Sequence, residues 1–360
     1  MNEQTVLFDL LKEGVSPAHV VKSCDQATEW KQIEPVESIG HHYRLLVHIR
    51  ASAIEMKKEE KPAVRIAAAH TDFPCLRIKP SCDVVTNRYA QVNIEVYGGA
   101  ILNTSLDRPL GVAGRVAVRG NDPFVPEMKY FASEKNLLTI PNLAIHMNRS
   151  VNDGYKYSVQ KDMLPLLGDE RAAGTFLDIV AGAAEVDKED ILGTDLFLYC
   201  RGRGVVWGAN GEYLSSPKLD DLQCTFANLQ GFLAGGHPNT ISVYAVFDNE
   251  EVGSGTKQGA AGTVLLDTLL RVNEALGCSH EDYLRALASG FMVSADNAHA
   301  VHPNHLSLAD PTNHPHMNQG IVLKFSANQK YGTDSVSAAL FRAICSRAGV
   351  PVQTFHNHSD

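Results

Sequence analysis

The sequence predicts an α/β fold: a three-layer domain around a mostly parallel central sheet, interrupted by a β-rich insertion. Three observations predict it. Short, largely apolar runs stop abruptly at polar clusters, as strands buried on both faces do. From about Leu219 onward such runs alternate with helical periods, the rhythm of a layered α/β domain. Between the two lies a stretch whose apolar residues recur at every second position, the period of half-buried antiparallel strands.

Taken in chain order, Met1–Gly14 carries Glu3, Asp9 and Glu13 and has no basic start followed by an apolar h-region. It reads as an amphipathic helix rather than a secretion signal. Val64–Ala69 is a buried strand that ends at His70-Thr-Asp-Phe-Pro74. Gln91–Tyr97 and Val112–Val118 alternate strictly, with Gly-rich turns between them. Asp221–Leu233 reads as a helix closed by Gly235-Gly236, and Ile241–Phe247 as a buried strand. There follow a helix over Ala261–Leu276, strands over Phe291–Ser294 and Ile321–Phe325, and a helix over Ser335–Arg347. The parse is a discontinuous α/β domain, residues 1–76 and 203–360, with an inserted β-rich domain, residues 77–202.

Composition narrows the function. The 360 residues are 44% hydrophobic and 20% charged, ordinary for a folded chain of two domains. Lys and Arg number 32 against 41 Asp and Glu, and the net charge of −9 argues against nucleic acids and anionic membranes as partners. No run approaches the roughly 18 apolar residues of a membrane helix. Seven scattered cysteines, none spaced as CxxC, favour reduced thiols and a cytoplasmic location over a disulfide framework or a Cys-type zinc site.

Three strands end in clusters that could carry chemistry, where open α/β sheets bind ligands. His70-Thr71-Asp72 offers a metal-binding imidazole with a carboxylate to hold its other nitrogen, or equally a buried His bonded to a loop acid. Asp248-Asn-Glu250-Glu251 follows an apolar strand, so one Glu could bind a cation while its neighbour acts as a base; the plain alternative is an acidic loop. Ser294-Ala-Asp296 with His299 and His302 is the third cluster. Asp220, in Ser216-Pro-Lys-Leu-Asp220-Asp221, stands just before a helix and could be either a ligand or a cap. Oxygen-rich donors with one His suit zinc, manganese or cobalt, and a carboxylate bridging two ions suits a dinuclear hydrolase. The competing enzyme motifs, GxSxG, GxxxxGK[ST], HExxH and a strand followed by GxGxxG, are all absent.

These segments, together with Ala69–Lys79, Tyr97-Gly-Gly-Ala100, Leu106-Asp-Arg-Pro-Leu110 and Ile140–His146, occur in an order and spacing that resemble the M18 metallo-aminopeptidases, the aspartyl aminopeptidases. The resemblance implies two divalent ions, zinc with cobalt or manganese as substitutes. His70 would hold one, Asp220 would bridge both, and Glu251 and Asp296 would bind one each. It also implies Glu250 as general base, Asp72 as the group orienting His70, and a cis Asp220–Asp221 peptide. Lys324 and His299 would lie near the acidic side chain of a peptide substrate with N-terminal Asp or Glu. His146 would act in a neighbouring subunit's site. The insertion would be the dimerisation domain of a tetrahedral dodecamer. The family's final His ligand lies beyond the region matched by Phe355–Asp360, where this sequence ends, so the resemblance also admits a C-terminally shortened, non-catalytic or impaired assembly subunit. A related dinuclear deacylase or carboxypeptidase is the further enzyme reading. Asp221 stands where the family has Asn, an extra charge that could compete for metal.

Overall fold

The computed structural model describes residues 63–235 and 240–359, together with the backbone of two strands nearer the N-terminus. Its strands are β1 (Glu3–Asp9), β2 (Arg44–Arg50), β3 (Ala63–His70), β4 (Cys75–Thr86), β5 (Tyr89–Tyr97), β6 (Leu110–Asp122), β7 (Val125–Ala132), β8 (Leu166–Asp169), β9 (Ile191–Cys200), β10 (Val205–Trp207), β11 (Tyr213–Ser215), β12 (Thr240–Phe247), β13 (Phe291–Ser294), β14 (Ile321–Lys324) and β15 (Val352–Phe355). The helices are α1 (Val159–Asp162), α2 (Phe176–Ala184), α3 (Leu219–Ala234), α4 (Val264–Ala275), α5 (His280–Ala288) and α6 (Ser335–Ala348). The chain divides into two units, 1–295 and 296–360.

The first unit contains a sheet in the order β1-β2-β12-β3-β13. The parallel run is β12-β3-β13, and β1 and β2 extend it with antiparallel pairs. β12 is apolar from Val243 to Phe247, where both faces are covered. Val243 and Ala245 pack with Leu265, Leu269 and Val272 of α4 and with Tyr283 and Ala286 of α5. Tyr244, pointing the other way by the two-residue period, donates its hydroxyl to Thr225 O of α3 at 2.8 Å. Helices therefore lie on both faces, the three layers that the sequence predicts.

The N-terminal segment departs from expectation. Glu3–Asp9 is a strand paired with β2 from Glu3↔Arg50 to Asp9↔Arg44, not part of a helix. Thr5-Val6-Leu7-Phe8 is a β-branched and aromatic run whose pairing with β2 outweighs an amphipathic helix, and residues 10–14 of that expectation lie outside the described residues.

The alternating stretch forms a second sheet, β7-β6-β9-β4-β5-β8, antiparallel throughout. It has its own core, in which Ile78, Val92, Ile94, Val112, Val116 and Leu196 are fully buried against Phe176 and Val180 of α2. In the second unit β14 and β15 pair in parallel, and α6 makes the crossover that parallel strands require. Asp334 caps α6 by accepting Ser337 N–H at 2.7 Å in a reciprocal capping box, and Gly349 ends it in the left-handed conformation. No helix among the described residues is long and apolar enough to cross a membrane.

Candidate metal centre

Register builds the site. β3 and β12 run parallel with His70 opposite Phe247, so both strands end together and the segments after them become neighbours. Thr71 N–H donates to Phe247 O at 3.0 Å and locks the two ends. α3 is fastened to the same end of β3: Thr225 Oγ1 donates to His70 O at 2.7 Å and Asn228 Nδ2 to Ala68 O at 3.0 Å. Asp220 and Asp221, at the start of α3, have non-helical dihedrals, and the peptide between them is cis, as the family resemblance implies.

His70 is the centre of the arrangement and only 4% exposed. Its Nδ1 lies 3.2 Å from both Asp72 Oδ1 and Asp72 O, which assigns the ring proton to Nδ1. The Nε2 lone pair then faces Asp220 Oδ1 at 3.5 Å and Glu250 Oε2 at 4.0 Å. His70, Glu250 and Glu251 offer ligand atoms all within 4.8 Å of one another, as do His70, Asp220 and Asp221. Asp221 is fully buried, and its Oδ2 accepts the His70 backbone N–H at 3.2 Å. It sits inside the cluster, where the sequence predicts a charge able to compete for metal.

The carboxylates of the cluster perturb one another. Burial, then the charges of Asp220 and Glu250, push the Glu251 carboxyl up to about 7. Burial and the Asp72 charge push Asp248 up to about 6. Burial opposes ionisation of Asp72 too, but hydrogen bonds from His70, Tyr97, Glu251 and Glu250 outweigh it and hold that pKa below the usual value. Crowded carboxylates facing one imidazole lone pair, in a partly desolvated place, are stabilised by a divalent cation. Oxygen donors with a single nitrogen suit zinc, manganese or cobalt. The residues fit a metal.

The remaining predicted residues belong to other segments of the chain. His146 is exposed in the loop after Ile140 and is not among the residues that the clusters bring together. Asp296 opens the second unit, where Lys324 Nζ lies 2.8 Å from its Oδ2 and 2.7 Å from Asn297 O. Lys324 is thus a paired, mostly buried lysine rather than a solvent-facing one, with its ammonium 5.4 Å from the Tyr331 ring centre. His299, in the same unit, packs edge-on against Phe355. Sequence reasoning missed the hydroxyl of Tyr97, which donates to Asp72 Oδ2 at 2.8 Å. The available signals were the Tyr97-Gly-Gly-Ala100 segment of the family resemblance and the position of Tyr97 as the last residue of an alternating strand.

Residues 12–360 match the family model described as aminopeptidase I zinc metalloprotease (M18). A probable M18 family aminopeptidase 2 of Clostridium acetobutylicum is 46% identical over 305 residues, 83% of this chain and 70% of that protein. Among solved structures, Ape4 in its cryo-EM complex with Nbr1 is 31% identical with a TM-score of 0.79, over 91% of this chain and 67% of that one. The fold also matches the S. cerevisiae mApe1 dodecamer, 24% identical with a TM-score of 0.69, over 87% of this chain and 71% of that one. The sequence match over nearly the whole chain and the donor cluster at the strand ends agree: the chain belongs to the M18 family of zinc metallo-aminopeptidases.

Proposed function

We propose that this aminopeptidase removes acidic N-terminal residues, Asp or Glu, from peptides and uses two divalent ions, zinc with cobalt or manganese as substitutes. The observation that carries the reading is the buried His70, its Nδ1 held by Asp72 and its Nε2 turned toward Asp220 and Glu250. His70, Asp220, Glu251 and Asp296 would hold the ions, with Asp220 as the bridge. When bound, the ions supply Lewis acidity that polarises the scissile carbonyl and acidifies water.

The chain's own residues do the rest. Glu250, whose side chain is 48% exposed, keeps a carboxylate within reach of both cluster and solvent. It takes a proton from the attacking water at that carboxylate and returns it to the departing amine. Asp72 fixes the tautomer and direction of His70. His146, lent by a neighbouring subunit, steadies the developing oxyanion. Lys324 supplies a counter-charge to the acidic side chain of the substrate, with His299 beside it. The β-rich segment, residues 77–202, serves as the dimerisation domain of a cytoplasmic homo-oligomer, a tetrahedral dodecamer.

The test is a panel of peptide amides with N-terminal Asp, Glu, Leu or Lys, plus an N-acetylated Asp peptide. Chelator-sensitive release from the Asp and Glu members alone is the expected result. Release of C-terminal residues, or cleavage of the acetylated peptide, would favour a carboxypeptidase or deacylase instead.

A further inference from the structure

Asp72 joins three pieces of the chain. Its Oδ1 lies 3.2 Å from His70 Nδ1 and accepts the backbone N–H of Glu250 at 3.1 Å. Its Oδ2 accepts the backbone N–H of Glu251 at 3.0 Å and the hydroxyl of Tyr97 at 2.8 Å. That last donor ends β5, in the second sheet, whereas the other three belong to the ends of β3 and β12. The same hydroxyl lies 3.2 Å from the side-chain oxygen of Asn249, a left-handed residue in the Glu250 loop. Gly98 follows with φ +71°, and a Cβ built there would stand 3.0 Å from Glu251 Cβ and 3.2 Å from Glu251 O. Only glycine satisfies both that dihedral and that approach.

We propose that Tyr97 and Gly98 are positioning residues of the metal centre. The Tyr97 hydroxyl holds Asp72 in the orientation that receives His70 and both Glu amides. Gly98 lets the end of β5 brace the Glu251 side of the loop. The inference rests on the metal-site reading above and gives the second sheet a part in building the site. A tyrosine serving only as core would need its ring, which packs edge-on against Phe197 at 5.5 Å, and not a hydroxyl aimed at a carboxylate. Tyr97→Phe keeps the ring and removes only that hydroxyl.

The experiment compares the full chain with Tyr97→Phe and Gly98→Ala. It measures the zinc affinity of metal-free protein by calorimetry, kcat and KM for an N-terminal Asp peptide amide, and the thermal midpoint of metal-free protein. Tyr97→Phe should weaken zinc binding by roughly 10–100-fold and lower kcat on the same scale, with KM and the metal-free midpoint little changed. Gly98→Ala should do the same or more. If Tyr97→Phe binds zinc and turns over as the wild type does, or loses both only in step with its metal-free midpoint, the inference fails. A wild type that binds no zinc removes the metal-site reading, and the inference with it. A zinc-binding, active wild type beside an unaltered Tyr97→Phe overturns the inference alone.

Discussion

The two glutamates after β12 are adjacent in sequence and unlike in circumstance. Glu251 carries a carboxyl raised to about 7 by burial and neighbouring charge, so a cation bound beside it would favour its ionised form. Glu250 keeps one oxygen 4.0 Å from His70 Nε2 and nearly half its side chain in solvent, which suits the base role proposed for it. Glu250→Gln should therefore lower kcat by about 10²–10⁴-fold while zinc content per chain stays the same. Loss of zinc together with activity would move Glu250 among the ligands. Asp220→Ala should empty the site, read as metal-to-protein ratio after dialysis, and unaltered metal content would remove Asp220 from it. His70, Asp220, Glu250 and Glu251 were legible because each follows or precedes a strand or helix whose apolar pattern marks its end. Tyr97 and the depth of Asp221 were not. Their chemistry depends on which segments the fold brings beside Asp72, and nothing in their local spacing records that.

Helices and strands differ in how plainly they announce themselves. β13 was read to the residue, Phe291–Ser294, because an apolar run ends there at polar ground. α6 was read within a residue at its C-terminal end, where Gly349 stops it. α5 was passed over, although Ser279 and Asp282 form its reciprocal cap, since Asp in place of Glu or Gln weakens the sequence signature. The short β10–β11 ribbon leaves Val206 and Trp207 exposed, so no alternating pattern marked it. The N-terminal strand is the instructive miss: a sheet partner distant in sequence decided its conformation. At this scale Asp334→Ala should lower the thermal midpoint of the folded chain, and Asp334→Asn should keep most of it, because Asn caps about as well as Asp. Equal midpoints for Ala and Asn would mean that the capping oxygen is not what holds α6.

Among the described residues, two separate hydrophobic cores are found. One is the three-layer packing about β12, and the other is the second sheet closed by α2. Phe176 is fully buried in the latter, so Phe176→Ala should cost about 3–5 kcal/mol of stability in chemical unfolding. A loss under 1 kcal/mol would mean that α2 is peripheral. The change of strand period from continuous to alternating and back follows these two cores, whereas the division at residue 295 has no such mark. The central claim concerns the carboxylates at the ends of β3 and β12, which are arranged for a cation. Its most direct test is a zinc titration of metal-free protein, with hydrolysis of an N-terminal Asp peptide amide followed at each addition. Activity should start from nothing, rise with zinc, and level off near about two ions per chain. Turnover that is already full without metal, or absent at every zinc level in folded protein, would contradict it.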